Sequence, residues 1–179
     1  MEENLNKTPS LEERISKLDP NFNMLRFLDF LGFRESLCEY DNFNKHGKEK
    51  GKYIGKYMFG EGALRVIGYG KDIDKFKNFA KFREHFFCNP ELQEEAMKKW
   101  IGHLIDSFEK NGLINYIGKP LIENGRTVCP EIDLTVLLTL GHISGTEGAR
   151  QYIEEGKNRH DGTKNLKAPI VQNMQFLAI

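Results

Sequence analysis

Asp19-Pro20-Asn21-Phe22-Asn23-Met24-Leu25-Arg26-Phe27-Leu28-Asp29-Phe30-Leu31-Gly32-Phe33-Arg34-Glu35-Ser36 is the stretch on which the reading of the fold turns. Asp followed by Pro is a helix start, with Asp as the cap and Pro at the first helical position. The spacing then predicts an apolar helix over 20–36. Met24, Phe27, Leu28 and Leu31 fall at i, i+3, i+4 and i+7, a single stripe facing a core. The next position on that stripe, i+11, is Glu35, while Arg26 and Asp29 lie on the far side. A carboxylate on the core face of a last helical turn loses hydration and meets the negative end of the helix dipole. Both effects disfavour its charged form and push its pKa toward what a general acid needs. The alternative for such a residue is to turn out to solvent or to pair with Arg34.

Working outward, residues 1–19 are polar and charged and read as an arm, with a short helix around Leu11 to Leu18. Residues 37–56 are rich in Lys, Asn and Gly and read as loop or short strands. Within them Lys45, Lys48, Lys50, Lys52 and Lys56, interrupted by Glu49, form a basic run that reads first as a solvated loop. Phe76, Phe79, Arg83 and Phe86 predict a second helix near 72–87. Asn89-Pro90 opens a long amphipathic helix marked by Leu92, Ala96, Met97, Trp100, Ile101, Leu104, Ile105 and Phe108, and Gly112 ends it. Asn124-Gly125 between apolar pairs is a hairpin signal. Pro130 opens a third apolar helix through Leu140, and a short helix with Ala149, Tyr152 and Ile153 follows Gly145. The fold class is therefore mainly α (α+β), with one small β element.

Composition limits the function classes. The chain has 179 residues, with 26 Lys+Arg balanced by 26 Asp+Glu. A protein without net charge has no global field to draw it onto nucleic acid or an anionic membrane. Thirteen Phe in this length predict an aromatic-rich core. The three cysteines, Cys38, Cys88 and Cys129, are odd in number and widely spaced, so no disulfide framework is expected. No zinc motif occurs: His85 and Cys88 are one turn apart but have no second pair. Nucleotide-loop and serine-hydrolase motifs are also missing, so neither metal nor cofactor is expected. The N-terminus has no basic start followed by an apolar run, and no stretch reaches the length of a membrane span.

Three segments together resemble the lysozyme-like superfamily, in its lytic transglycosylase and phage-type or effector-type forms. Arg34-Glu35-Ser36, closing an apolar helix, resembles the family's Glu-Ser motif. Gly55-Lys56-Tyr57-Met58-Phe59-Gly60-Glu61-Gly62-Ala63-Leu64 resembles its Gly-x-Tyr-Gln-Phe-Gly-Glu-x-Ala-Leu segment, with Met58 where Gln is usual. Gly141-His142-Ile143-Ser144-Gly145, followed by Gly148-Ala149-Arg150-Gln151-Tyr152, is similar to its Ala-Tyr-Asn-Ala-Gly box or the His-Leu-Gly-Gly variant. There His142 replaces Tyr and Ile143 replaces Asn. The turn Asp161-Gly162-Thr163 is similar to a tail of the same group, so the resemblance runs from about Phe22 to Thr163.

The resemblance implies a lysozyme-like fold with a central apolar helix, a polar arm over 1–19 and a catalytic domain over 20–179. It implies a peptidoglycan-cleaving glycosidase, a lytic transglycosylase or a muramidase, with Glu35 as the acid. Glycosidases of this kind use either a second carboxylate or the sugar's own groups to support the sugar cation. Glu61 is the leading second carboxylate, with Glu39 and Asp41 behind it. Ser36, Tyr57, Met58, His142 and Tyr152 are the expected substrate-binding residues. Glycan strands are the expected partner, together with an immunity or delivery protein. A phage lysin or secreted effector, made in the cytoplasm and delivered to the periplasm or wall without a signal peptide, fits these features. The other class is a non-catalytic module that binds glycan or scaffolds an assembly, favoured by Met58 and Ile143, which replace polar sugar-contacting types.

Overall fold

The fold is described from a computed structural model, for residues 9–46 and 50–156. Asp161-Gly162-Thr163, together with Lys48 and Glu49 of the basic run, lies outside the described residues. The protein is mainly helical, with two small antiparallel hairpins where one β element was expected. Among the described residues no helix is long and apolar enough to cross a membrane.

Helix α1 (Leu11–Leu18) opens on Ser10, whose hydroxyl accepts from Glu13 N–H while Glu13 returns a bond to Ser10 N–H. This reciprocal box satisfies two donors that a helix start leaves unpaired. Ile15 drops into the core, and Arg14 reaches Asp106 at 2.7 Å and Glu109 at 2.9 Å on a later helix.

Helix α2 (Met24–Ser36) starts later than the Asp-Pro signal predicts, because its N-cap is Asn23, whose side chain accepts from Arg26 N–H at 3.0 Å. Asp19 serves elsewhere: its carboxylate accepts from Asn21 N–H and, at 3.2 Å, from Leu134 N–H at the start of the last helix. A competing long-range cap thus displaced the local one. The predicted stripe holds, with Phe27, Leu28 and Leu31 buried.

Strands β1 (Tyr53–Ile54) and β2 (Phe59–Gly60) pair antiparallel, and Phe43 bridges to Ile54. The helix expected over 72–87 is broken. Ahead of it lie α3 (Glu61–Leu64) and a π-helical turn over Arg65–Tyr69; α4 (Gly70–Asp74) then covers its start and α5 (Phe79–Phe87) its second half. Gly68, at φ 99°, makes the kink in the π turn, and Asn78 caps α5 through its side chain.

Helix α6 (Pro90–Lys110) follows the predicted amphipathic pattern and begins on its proline. After a 3₁₀ turn at Leu113–Tyr116 comes the hairpin β3 (Leu121–Glu123) and β4 (Arg126–Cys129). Its turn uses Asn124 at φ 50° and Gly125 at φ 75°, the conformation a two-residue hairpin demands. Helix α7 (Leu134–Glu155) merges the two helices expected there and starts at the cap Asp133 rather than at Pro130. Gly145, at φ 69° and ψ 174°, kinks it, a conformation open essentially to glycine alone.

Helices α6 and α7 cross in close contact, and the core runs between them and α2. Phe27, Phe30, Phe59, Phe82, Phe86 and Phe108 are buried in it, as the phenylalanine count suggests. A β-carbon at Gly141 would lie 2.5 Å from Phe108 Cζ and 3.1 Å from Leu104 Cδ2, so this glycine sets how near the two helices come. Gly102 faces only Leu11 Cδ1, at 3.9 Å. We therefore expect Gly141→Ala to lower stability by about 1–3 kcal/mol through overpacking. Gly102→Ala, at an uncrowded helical position, should raise it by up to about 1 kcal/mol. Chemical denaturation of the two variants measures both shifts.

Candidate functional site

The last turn of α2 presents Glu35 half-buried, its side chain 17% exposed. Its carboxylate pairs with the guanidinium of Arg34, one of the two alternatives the sequence left open. Arg34 Nε is buried and has no hydrogen-bond partner among the described residues. Ser36 is buried, and its hydroxyl donates to the carbonyl of Lys56 at 2.8 Å.

The helix then ends on two consecutive left-handed residues without glycine, Leu37 at φ 57° and Cys38 at φ 64°. Their N–H groups close the helix on Phe33 O at 2.9 Å and Gly32 O at 3.0 Å. A left-handed conformation costs a residue with a β-carbon about 1–2 kcal/mol. The turn beside Glu35 therefore holds strain that the surrounding bonds must offset.

The second segment, residues 55–59, is anchored by α6. Gly55 stands at φ 77°, and a β-carbon there would lie 2.3 Å from Gln93 Oε1. Gln93 is fully buried with its amide fully engaged. It accepts from Lys56 N–H at 2.9 Å and donates to Tyr40 O at 2.9 Å and Phe86 O at 2.8 Å.

The Lys56 side chain is nearly buried and runs across Gly32 of α2, where a β-carbon would meet its Cε at 2.5 Å. Its ammonium reaches Glu94 at 2.9 Å and lies 5.2 and 5.1 Å from the ring centres of Tyr40 and Tyr57. Glu94 also accepts from the Tyr40 and Tyr57 hydroxyls, each at 2.7 Å.

The electrostatics follow from this crowding. Burial pushes the Glu94 carboxyl up, but the donors Lys56, Tyr57 and Tyr40 outweigh it and hold its pKa below the usual glutamate value. Burial lowers Lys56, yet Glu94 more than compensates, so the ammonium is held charged. Burial first, and Glu94 second, push Tyr57 far above the usual phenol value, so it is a donor only.

The third segment docks on the second. His142 Nε2 lies 3.0 Å from Tyr57 O, and Phe59 packs edge-on against His142 at 6.1 Å and Trp100 at 6.4 Å. Met58 occupies the tight turn between, at φ 51°.

The structure thus links Ser36, the chain neighbour of Glu35, to the 55–59 turn that holds Tyr57 and Met58, and links that turn to His142; Ser36 and Tyr57 are themselves buried. It takes others elsewhere. Glu61 is 41% exposed and pairs with Arg65 at 2.8 Å, and Arg65 also holds Asp74 at 2.8 Å. Tyr152 is buried under the β3–β4 hairpin, its hydroxyl 3.1 Å from Glu123. Glu39 and Asp41 are exposed on the loop after α2, and Ile143 is buried. The reading of the basic run as solvated holds for Lys45, Lys50 and Lys52 and fails for Lys56. The ion pair with Glu94 is what makes burial of that lysine tolerable.

Tyr40, Gln93 and Glu94 were not anticipated. A signal existed, because Gln93 and Glu94 lie four and three residues before Met97, on the apolar stripe of α6. Like Glu35 they are polar residues on a core-facing stripe, but at a helix start, where the dipole favours a carboxylate's charged form.

A separate cavity of about 610 Å³ lies between the α1–α2 loop and the start of α7, lined by Phe22, Arg26, Ile117, Asp19, Asp133 and Thr135. None of the expected site residues lines it. Its two aspartates are occupied in capping α7. Among the described residues, no group of three or more His, Cys, Asp and Glu is placed to hold a metal ion, and all three cysteines are free thiols. No family model, curated protein or solved structure matches the chain.

The lowered Glu94 carries a pH signature. A carboxylate whose folded pKa lies below its unfolded value, about 4.3, contributes stability that is complete above that value. The contribution is lost as pH falls through the folded pKa. We expect the difference in Tm between wild type and Glu94→Gln to be large at neutral pH and to shrink as the solution is acidified below the unfolded value. Thermal melts across that range measure it, and a constant difference would contradict the assignment.

Proposed function

We propose that the chain is a peptidoglycan-cleaving glycosidase of the lysozyme-like class, acting on the MurNAc–GlcNAc strand in the periplasm or at the wall. Glu35 is its general acid. One observation carries this reading. The three segments that resemble the family lie far apart in sequence and meet in space through the Ser36–Lys56 and His142–Tyr57 contacts. Glu35, half-buried, is the chain neighbour of Ser36 in the first of these contacts. Chance resemblances scattered along a chain have no reason to converge.

In the proposed reaction the Glu35 carboxyl gives its proton to the glycosidic oxygen as the bond from that oxygen to the anomeric carbon breaks. The leaving sugar departs with that oxygen as a hydroxyl, and the sugar that keeps the anomeric carbon takes on oxocarbenium character. Arg34 holds Glu35 in the free protein and must yield when the glycosidic oxygen arrives. The state of the other carboxylates supports the single-acid route. Glu61 is neutralised by Arg65, and Glu94 by Lys56 and two tyrosines, so neither is offered to the sugar cation. A hydroxyl of the substrate itself then adds to the anomeric carbon, as in lytic transglycosylases, and its proton returns to the Glu35 carboxylate, which acts as base. Glu39 and Asp41 are the carboxylates left for a hydrolytic route.

The second reading is a glycan-binding module without catalysis. The pairing of Glu35 with Arg34, the burial of Ile143 and the thioether at Met58 favour it.

Purified sacculi incubated with wild type and with Glu35→Gln separate the two. Wild type should release soluble muropeptides with anhydro ends. The variant should release them at least about 100-fold more slowly, the usual contribution of a general acid. Reducing ends would mean hydrolysis. Absence of release by wild type, with binding retained, would establish the module reading, and equal release by both proteins would remove Glu35 from the acid role.

A further inference from the structure

Lys56 is held at three points. Its N–H is fixed by Gln93, its carbonyl by Ser36 and its ammonium by Glu94. Gln93 and Glu94 belong to the first turns of α6, a 21-residue helix with a buried face and hence a rigid support. Ser36 is the neighbour of Glu35. A continuous path therefore runs from the start of α6, through Lys56, to the residue beside the acid.

Glu94 also takes the Tyr57 hydroxyl, and Tyr57 is the residue whose carbonyl meets His142. With three donors on its two oxygens and its charge matched by Lys56, Glu94 is poorly suited to act as base or nucleophile. Its chemistry is that of a clamp.

We infer that Glu94 is a positioning residue of the glycan site, holding Lys56, Tyr57 and Tyr40 so that residues 55–59 stay fixed against the last turn of α2 that carries Glu35. The inference rests on the glycosidase reading. Loss of the carboxylate leaves the Lys56 ammonium without its anion in a nearly buried channel over Gly32. The side chain must leave toward water, and the Lys56 carbonyl that receives Ser36 moves with it. Displacement of a catalytic group by about 1 Å costs roughly 100-fold in rate. The Glu94 oxygens are taken by Lys56, Tyr40 and Tyr57, so they are not offered to sugar and the loss should fall more on kcat than on KM.

The test uses the full chain, soluble uncrosslinked glycan strands as substrate, and a temperature well below the Tm of every protein compared. The proteins are wild type, Glu94→Gln, Lys56→Met and the double variant Lys56→Met/Glu94→Gln. We expect Glu94→Gln to lose roughly 10- to 100-fold in kcat, with KM moving less than about two-fold. The double variant should lose no more than the worse single variant, because both residues act through one contact. Should Glu94→Gln not fold, the double variant carries the test, since it leaves no buried charge unpaired; the same fall in kcat is expected of it.

A folded variant with wild-type kcat would overturn the positioning role, as would a loss confined to KM. Absence of turnover by wild type would remove the acid and, with it, anything that positions it. That outcome is visible before any variant is compared.

Discussion

The contact between the Lys56 ammonium and the Glu94 carboxylate, 2.9 Å long and largely out of water, is the constraint around which the site is arranged. Breaking a buried pair by removing one partner costs about 3–5 kcal/mol, because the other charge is left uncompensated. This pair is partly exposed on the Glu94 side, and three further groups share the load. Tyr40 and Tyr57 donate to the carboxylate, and their rings flank the ammonium. Glycine at position 32 gives the lysine its passage across α2, and glycine at 55 lets the backbone come against Gln93. Sequence positions far apart are thus committed to one small volume.

That commitment explains what surrounds it. Residues 55–59 turn tightly enough to place Met58 in a left-handed conformation, and α2 closes on two such residues, Leu37 and Cys38. Strain of this kind persists only where neighbouring contacts over-determine the backbone. Here the contacts are the Ser36 hydroxyl on Lys56 O, the Gln93 amide on three backbone groups, and His142 on Tyr57 O. The strained turns at Leu37, Cys38 and Met58 adjoin the clamped residues Ser36, Lys56 and Tyr57, an arrangement that fits the acid role proposed for Glu35. The cavity beside α7 lacks this character, since its two aspartates already serve as helix caps.

Legibility in the sequence followed the range of the forces involved. The stripe of α2, the amphipathic α6 and the Asn124-Gly125 turn are local, and they form where periodicity and turn chemistry place them. Boundaries failed where a distant partner competed. Asp19 left its local cap for Leu134. The helix expected over 72–87 broke instead on a local signal, the Asn78 cap that starts α5. Gly145 kinks α7 without ending it. Within the site, residues next to a recognisable pattern were found, while Tyr40 and Glu94, whose roles exist only through each other and Lys56, were not. Lys56 itself was read from its neighbours in sequence as part of a solvated run, and its burial depends on a carboxylate 38 residues away.

Under the proposed function a glycan lies against the junction of these three segments with its scissile oxygen at residue 35. An experimental structure of Glu35→Gln bound to an N-acetylated oligosaccharide tests it most directly. We expect a glycosidic oxygen within hydrogen-bond reach of the residue 35 side chain, about 3 Å, with sugar rings beside Met58 and His142. An oligosaccharide bound on another face of the molecule, with residue 35 still turned to Arg34, would contradict it.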